Sequence, residues 1–128
     1  MSIVVRAFPV AGSIEKVEDF ARELKSRRSE AADFYGKYGV THESWHMQQT
    51  PAGPMVIVVN VVEDPREAAP RYAASTEAFE SWFKGAVLEA TGIDATREPL
   101  GPPTTLLYDW TDDRQPELCD MMKTAVLA

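Results

Sequence analysis

Residues Met55–Val62 read MVIVVNVV, and this stretch decides the fold. Both of its alternate rows are apolar apart from Asn60, whereas a strand with one solvated face alternates apolar and polar residues. We therefore expect a strand that is covered on both faces. The segment before it, Pro51–Pro54 (PAGP), predicts a hairpin connection, because proline and glycine preset turn angles that strand residues resist.

Two further strands are predicted on the N-terminal side of this stretch. Val40–Thr50 has a period of two, and Ile3–Val10 is rich in β-branched residues and ends near Pro9. In Val40–Thr50, strict alternation predicts that the odd-numbered positions share one face: Thr41, Glu43, Trp45, Met47 and Gln49.

Between these two strands the spacing predicts one long helix. Ser13 is a suitable N-cap, and Gly39 is a suitable stop. The stripe at alternating spacings of three and four comprises Ile14, Val17, Ala21, Leu24, Arg28, Ala31, Tyr35 and Tyr38.

A second helical segment is predicted after the apolar strand. Asp64 and Pro65 resemble an N-cap and a first helical residue, and the segment runs to about Gly92 with an interruption at Pro70. Its core-facing stripe comprises Phe79, Trp82, Phe83, Ala86, Val87 and Ala90.

The C-terminal part predicts an extended connection over Ile93–Pro103, a last strand over Thr104–Trp110 and a short helix over Pro116–Leu127. The resulting order β, α, β, β, α, β is that of ferredoxin-like α+β folds. We therefore expect a single domain over residues 1–128, with a core at about 2–110 and a tail at about 113–127.

Composition excludes several classes of partner. The chain has 128 residues, with 13 basic against 20 acidic residues and a net charge of -7, which repels nucleic acid and anionic lipid. Its one cysteine, Cys119, cannot form an internal disulfide, and the longest apolar run, Met55–Val59, is far too short to span a membrane. These features predict a soluble cytoplasmic protein.

The predicted fold also predicts a homodimer. Both helices of a ferredoxin-like unit pack on one face of the sheet and leave the other face bare. Because Met55–Val62 is apolar on both faces and 45% of all residues are hydrophobic, we expect a second subunit to cover that face.

The element order, the long first helix and the strand sequences VTHESWHMQ and MVIVVNVV resemble the dimeric α+β barrel superfamily over residues 2–110. This group includes antibiotic-biosynthesis monooxygenases, and the chain looks most similar to an uncharacterised small bacterial family within it. The resemblance implies a ligand pocket between sheet and helices. Haem-binding members ligate iron through a helical histidine, whereas both histidines here lie on a strand, which argues against haem.

Those histidines, His42 and His46, are candidates for acid–base catalysis. They share a strand face, but four strand residues span roughly 13 Å, so the two rings cannot close on one metal ion without further ligands. We therefore predict no metal site. The alternative is that both are polar residues of a subunit interface.

A second set of candidates surrounds the predicted pocket. Arg28 and Glu43 could form a buried ion pair under the helix, and Arg6 lies similarly between apolar neighbours on the first strand. In the functional alternative, Arg6 or Arg28 holds an anionic substrate and Glu43 acts as the base. The ring of a planar substrate would then lie against Tyr35, Trp45 and Trp82.

The sequence leaves two classes of function open. It has no GxGxxG, P-loop, HExxH or GxSxG motif. One class is an enzyme that converts a small aromatic or anionic metabolite without a tightly bound cofactor, which predicts a cavity with a shifted ionisable group. The other is a noncatalytic ligand-binding or structural homodimer, which predicts a filled interior with every buried charge paired.

Overall fold

Three strands form one sheet in the computed structural model, which describes residues 1–99, 101–102, 104–110 and 112. They are β1 (Ser2–Pro9), β2 (Val40–Thr50) and β3 (Gly53–Val62). β3 lies in the centre and pairs antiparallel with both neighbours, so β1 and β2 run parallel on either side of it. This is the split β-α-β arrangement that the element order predicts.

The hairpin between β2 and β3 also agrees with the sequence. The Thr50 hydroxyl donates to the Gly53 carbonyl at 2.7 Å and accepts from the Ala52 amide at 3.2 Å. Gly53 has φ 115°, a conformation that L side chains rarely adopt. The turn therefore sets the register of the two longest strands.

The predicted first helix is two helices, α1 (Ile14–Ser26) and α2 (Arg28–Lys37). Ser13 caps α1 as expected, accepting from the Lys16 amide at 3.3 Å. The two helices meet at Arg27, whose φ of -104° and ψ of 39° are not helical.

The buried side of α1 and α2 agrees with the predicted stripe at Val17 and Ala31 and differs from it at Phe20 and Phe34. It contains Val17, Phe20, Ala31 and Phe34, and it leaves Arg28 exposed. Burying the two phenylalanine rings removes a large apolar area from water, which accounts for their place in the core.

The second helical segment is also divided, but not at Pro70. α3 (Pro65–Ala74) contains Pro70 and has Ser75 as its C-cap, and α4 (Ala78–Thr91) follows. Asp64 caps α3 by accepting from two amides of its first turn, as predicted. Gly92 ends α4 with φ 79°.

The four helices cover the sheet face that carries Val4 and Val62. Aromatic rings fill the space between helices and sheet at centroid distances of 4.9–6.3 Å within the cluster of Phe20, Phe34, Tyr72, Phe79, Trp82 and Phe83. The opposite sheet face has no helix against it among the described residues. Its apolar side chains are partly exposed: Ile3, Val5, Ala7, Met55, Ile57, Val59 and Val61.

The prediction of a fourth strand is wrong for residues 104–110, which form neither strand nor helix. The Thr104 hydroxyl donates to the Val5 carbonyl, but Leu107, Tyr108 and Trp110 are 92%, 80% and 72% exposed. Strand propensity reflects fit to a half-buried pleated surface, and among the described residues these side chains find none.

The predicted tail helix and Cys119 fall outside the described residues. The three-stranded antiparallel sheet and the four helices make the fold α+β, while the ferredoxin-like sandwich and the dimeric barrel stay predictions. Within the described part of the chain, no helix has the length and apolar character needed to cross a bilayer.

Candidate functional site

A cavity of about 110 Å³ lies between the sheet and the helices. Most of its wall is apolar, and the charged side chains in that wall are Arg6 and Glu43, with Asn60 and three tyrosines as further polar residues. The apolar lining comes from β1, β3, α2, α3 and α4 and includes Val4, Phe8, Phe34, Val58, Phe83 and Val87.

Glu43 is the centre of a hydrogen-bonded cluster at this wall. Its Oε2 accepts from the Tyr35 hydroxyl at 2.5 Å and from the Trp45 indole at 3.1 Å. Its Oε1 accepts from the Asn60 amide at 2.9 Å. Burial raises the pKa of Glu43, while the three donors act in the opposite direction and favour the ionised form.

Tyr35 belongs to α2 and reaches Glu43 across the helix–sheet interface. Burial, together with the adjacent Glu43 carboxylate, raises the pKa of the Tyr35 hydroxyl. The hydroxyl therefore stays neutral and acts as a donor. Among the described residues, the cluster holds one carboxyl in contact with neutral donors and with no lysine or arginine.

A β-bulge in β2 gives Glu43 its neighbours. The register pairs Val40 with Val62 and His42 with Val61, so Thr41 is the extra residue. Val40, Glu43 and Trp45 consequently line the cavity together, while Thr41 is exposed. Strict alternation had placed Thr41 on the Glu43 face and Val40 on the other.

Arg6 lies on β1 and is 9% exposed. Its Nη1 donates to the Val5 carbonyl at 3.1 Å, whereas its Nε is buried without a hydrogen-bond partner. Desolvation lowers the pKa of the guanidinium. No carboxylate in the described part of the chain lies within 4.0 Å of it.

An open groove of about 570 Å³ lies beside the cavity, between α1, α2 and β2. Three residues line both spaces and separate them: Tyr35, Glu43 and Trp45. Arg28 lines the groove only, where its exposed side chain makes no ion pair with Glu43. The predicted buried pair between Arg28 and Glu43 does not form, because α2 turns Arg28 outward.

Trp82 lies outside both spaces. It packs against Phe20 at 5.7 Å and Phe79 at 5.4 Å between ring centroids, and the Arg27 guanidinium stacks over its ring at 4.4 Å. Of the predicted substrate-binding residues, the structure thus brings Arg6, Tyr35 and Trp45 to the cavity.

The histidines are on the other side of the sheet from the cavity. His42 and His46 are exposed, and His46 Nε2 lies 2.9 Å from the Ser44 hydroxyl. The structure therefore separates them from Glu43, with which the sequence grouped them as catalytic candidates. The described residues contain no cluster of three or more histidine, cysteine or carboxylate side chains suited to a metal ion.

Asn60 is the site residue that sequence reasoning missed. It is the one polar residue of MVIVVNVV, and it lies directly opposite Glu43 and Val4 in the register. A polar residue in an otherwise apolar strand needs a hydrogen-bond partner when buried, and this was the available signal.

Comparisons of the chain with protein-family models, with curated proteins and with solved structures find no match in any of the three.

Proposed function

We propose that this protein is a homodimer of the dimeric α+β barrel type, similar to monooxygenase-like proteins, that binds a small metabolite in the cavity between sheet and helices. The observation that carries the proposal is the cavity itself, with the unpaired Arg6 Nε in its wall. A purely structural core would fill this space and pair that charge. Both features therefore favour a ligand.

Glu43 supplies the chemistry if the bound metabolite is converted. A carboxyl whose pKa is raised by burial exchanges a proton at a pH closer to neutrality than a solvated one does. Tyr35 and Asn60 hold it in place through their hydrogen bonds. In this form of the proposal Glu43 moves a proton to or from the ligand, and no tightly bound cofactor takes part.

The alternative is a noncatalytic ligand-binding or structural homodimer. One observation favours it: both oxygens of Glu43 already accept hydrogen bonds from the protein's own side chains, as a structural carboxyl would. The location of His42 and His46 away from the cavity also removes two predicted catalytic groups from it.

The proposed dimer forms through the open sheet face. That face carries seven partly exposed apolar residues and, on β2, the side chains of His42, Ser44, His46 and Gln48. Among the described residues, the strand positions of this face include no Asp, Glu, Lys or Arg, although charged residues make up 26% of the chain. Two copies with a net charge of -7 each can therefore meet there without opposing like charges. A cytoplasmic location stays a prediction of the sequence.

Native mass spectrometry of freshly purified protein tests the proposal, since it reports subunit number and any retained small molecule together. A dimer that carries a defined extra mass supports it. A bare dimer favours the structural alternative, and a monomer overturns the barrel. Repeating the measurement on Glu43→Gln tests conversion, because a retained molecule whose mass differs between variant and wild type shows that the carboxyl acts on the ligand.

A further inference from the structure

Arg6 is the buried charge that the fold leaves uncompensated. Its guanidinium has five N–H donors, and within the described part of the chain one of them, on Nη1, makes a hydrogen bond, to the Val5 carbonyl. Nε is buried and unpartnered. Burying an unpaired cation costs several kcal/mol, so an anion that binds at this guanidinium would offset that cost.

The free edge of Arg6 has the geometry that a carboxylate requires. Because Nη1 is engaged by Val5, the side of the guanidinium formed by Nε and Nη2 makes no hydrogen bond to any described residue. Two parallel N–H groups on one edge match the two oxygens of a carboxylate. A single guanidinium in a cavity whose other charged wall residue is the acidic Glu43 suits a monoanion rather than a doubly charged phosphate.

The surroundings of Arg6 define the rest of the ligand. In the register Arg6 lies opposite Val58, which in turn pairs with Trp45, and Val4 and Phe8 flank it on its own strand face. These walls contact an apolar body. A cavity of about 110 Å³ is somewhat smaller than the engineered apolar cavity of about 150 Å³ that holds benzene.

We propose that the cavity binds a small monocarboxylate with an apolar body, whose carboxylate is held by the Nε–Nη2 edge of Arg6. This assignment rests on the proposed function, because it requires the cavity to take a ligand. Glu43 faces the same cavity from β2. It lies two strands away from Arg6, which is about 10 Å across the sheet, and two residues further along the strand direction. The far end of the ligand meets the Glu43 cluster, so an acid with a hydroxyl or keto oxygen there binds more tightly than a hydrocarbon acid of the same size.

The same reasoning assigns the anion to Arg6 and not to Arg28. Arg28 is exposed in the groove, where water solvates its charge and no buried donor is left unsatisfied. It provides a matched control, because removing it changes the net charge by the same amount as removing Arg6.

The test uses a panel of probes: isobutyrate, hexanoate, cyclohexanecarboxylate and benzoate, each paired with its neutral amide. Binding is followed by amide chemical shifts in the full-length protein. We expect at least one acid to bind about tenfold more tightly than its amide, with shifts at residues that line the cavity. Arg6→Met should abolish this preference, while Arg28→Met should preserve it within about twofold.

The outcomes distinguish the two proposals. If the amides bind in the cavity as tightly as the acids, or if Arg6→Met retains the preference, the carboxylate assignment is overturned and the cavity proposal survives. If no member of the panel binds and native mass spectra show no retained molecule, both fail. Arg6→Met should remain folded, because it removes an unpaired buried charge from an apolar wall, and its chemical-shift dispersion checks this directly.

Discussion

Glu43 illustrates how burial and hydrogen bonding compete at a single residue. Burial disfavours its charge, and three neutral donors favour it, with burial the larger influence on the pKa. The native protein therefore binds this proton more tightly than the unfolded chain does. Linkage then requires Glu43 to contribute most to stability below the ordinary glutamate range, and to lose that contribution as pH rises through the raised native pKa.

Glu43→Gln should remove the loss of stability that Glu43 causes as the pH rises. At about pH 4 we expect the free energies of unfolding of wild type and variant to agree closely, because the amide mimics the protonated acid and Asn60 can reverse its own amide to accept from it. As pH rises, the free energy of unfolding of the variant should increase relative to that of wild type by at most about 1.4 kcal/mol per pH unit. Urea denaturation between about pH 4 and 8 measures the difference.

Glu18→Gln provides the control for this experiment, since Glu18 is exposed on α1. The difference in free energy of unfolding between Glu18→Gln and wild type should not vary with pH in the way expected for Glu43→Gln. A Glu43→Gln difference that is independent of pH, or that favours wild type increasingly at high pH, would show that the carboxyl is ionised in the native cluster.

At this scale the sequence predicts which residues face inward better than it predicts what they touch. Arg6 was identified as a charge between apolar neighbours, and Glu43 as a charge between Thr41 and Trp45 that could pair with Arg28. Arg28 was misassigned because the predicted stripe ran through it and passed over Phe34, which the structure buries, whereas Tyr35 of the same stripe does pack against the core. No glycine or proline marks the bulge at Thr41 in the sequence. Its effect on which β2 residues share a face is therefore visible only in the strand register.

Lys84 caps the C-terminal end of α3 from the neighbouring helix α4. This lysine of α4 is 8% exposed, and its ammonium donates to the carbonyls of Tyr72, Ala73 and Ser75 at 3.0, 3.1 and 2.6 Å. The last carbonyls of a helix have no intrahelical donors, so Lys84 satisfies the end of α3 from a neighbouring element. This contact ends the helix near Ser75, whereas the sequence pattern pointed to Pro70.

Lys84→Met should therefore destabilise the protein by about 3 kcal/mol, because three carbonyls at the end of α3, one buried and two partly buried, lose the ammonium donor while the aliphatic packing is kept. Urea denaturation measures the loss, and hydrogen exchange should show faster opening at the end of α3. Lys16→Met is the matched control: the Lys16–Glu89 pair is 49% and 67% exposed, and its loss should cost less than about 1 kcal/mol. Equal effects of the two substitutions would contradict the capping role.

Elements with their own local signals were predicted well, and elements that depend on a partner were not. The caps Ser13 and Asp64, the stop at Gly92 and the hairpin all form as the sequence indicates, since each is determined by a few adjacent residues. The predicted strand over residues 104–110 has strand-type composition, but a strand also needs a neighbour to pair with, and composition does not provide one.

For the whole molecule, the open sheet face is the feature that a single chain does not explain. The helices bury one row of β3, and the other row, which is equally apolar, stays partly exposed. The exposed Leu107, Tyr108 and Trp110 add apolar surface to the same molecule. An acidic chain that concentrates its uncharged surface on one sheet face is suited to association through that face.

Ile57→Lys tests this association at the centre of the face, where Ile57 pairs with Ala7 on one side and His46 on the other. In the proposed dimer each subunit would bury an unpaired ammonium close to its symmetry mate, so we expect dissociation into monomers. Sedimentation velocity at equal loading concentrations measures the shift. Because Ile57 is already partly exposed in the single chain, the monomer should keep its near-ultraviolet circular dichroism. Ser29→Lys adds the same charge to an exposed position of α2 and should leave the dimer intact; if Ile57→Lys also sediments as wild type does, this face is not the interface.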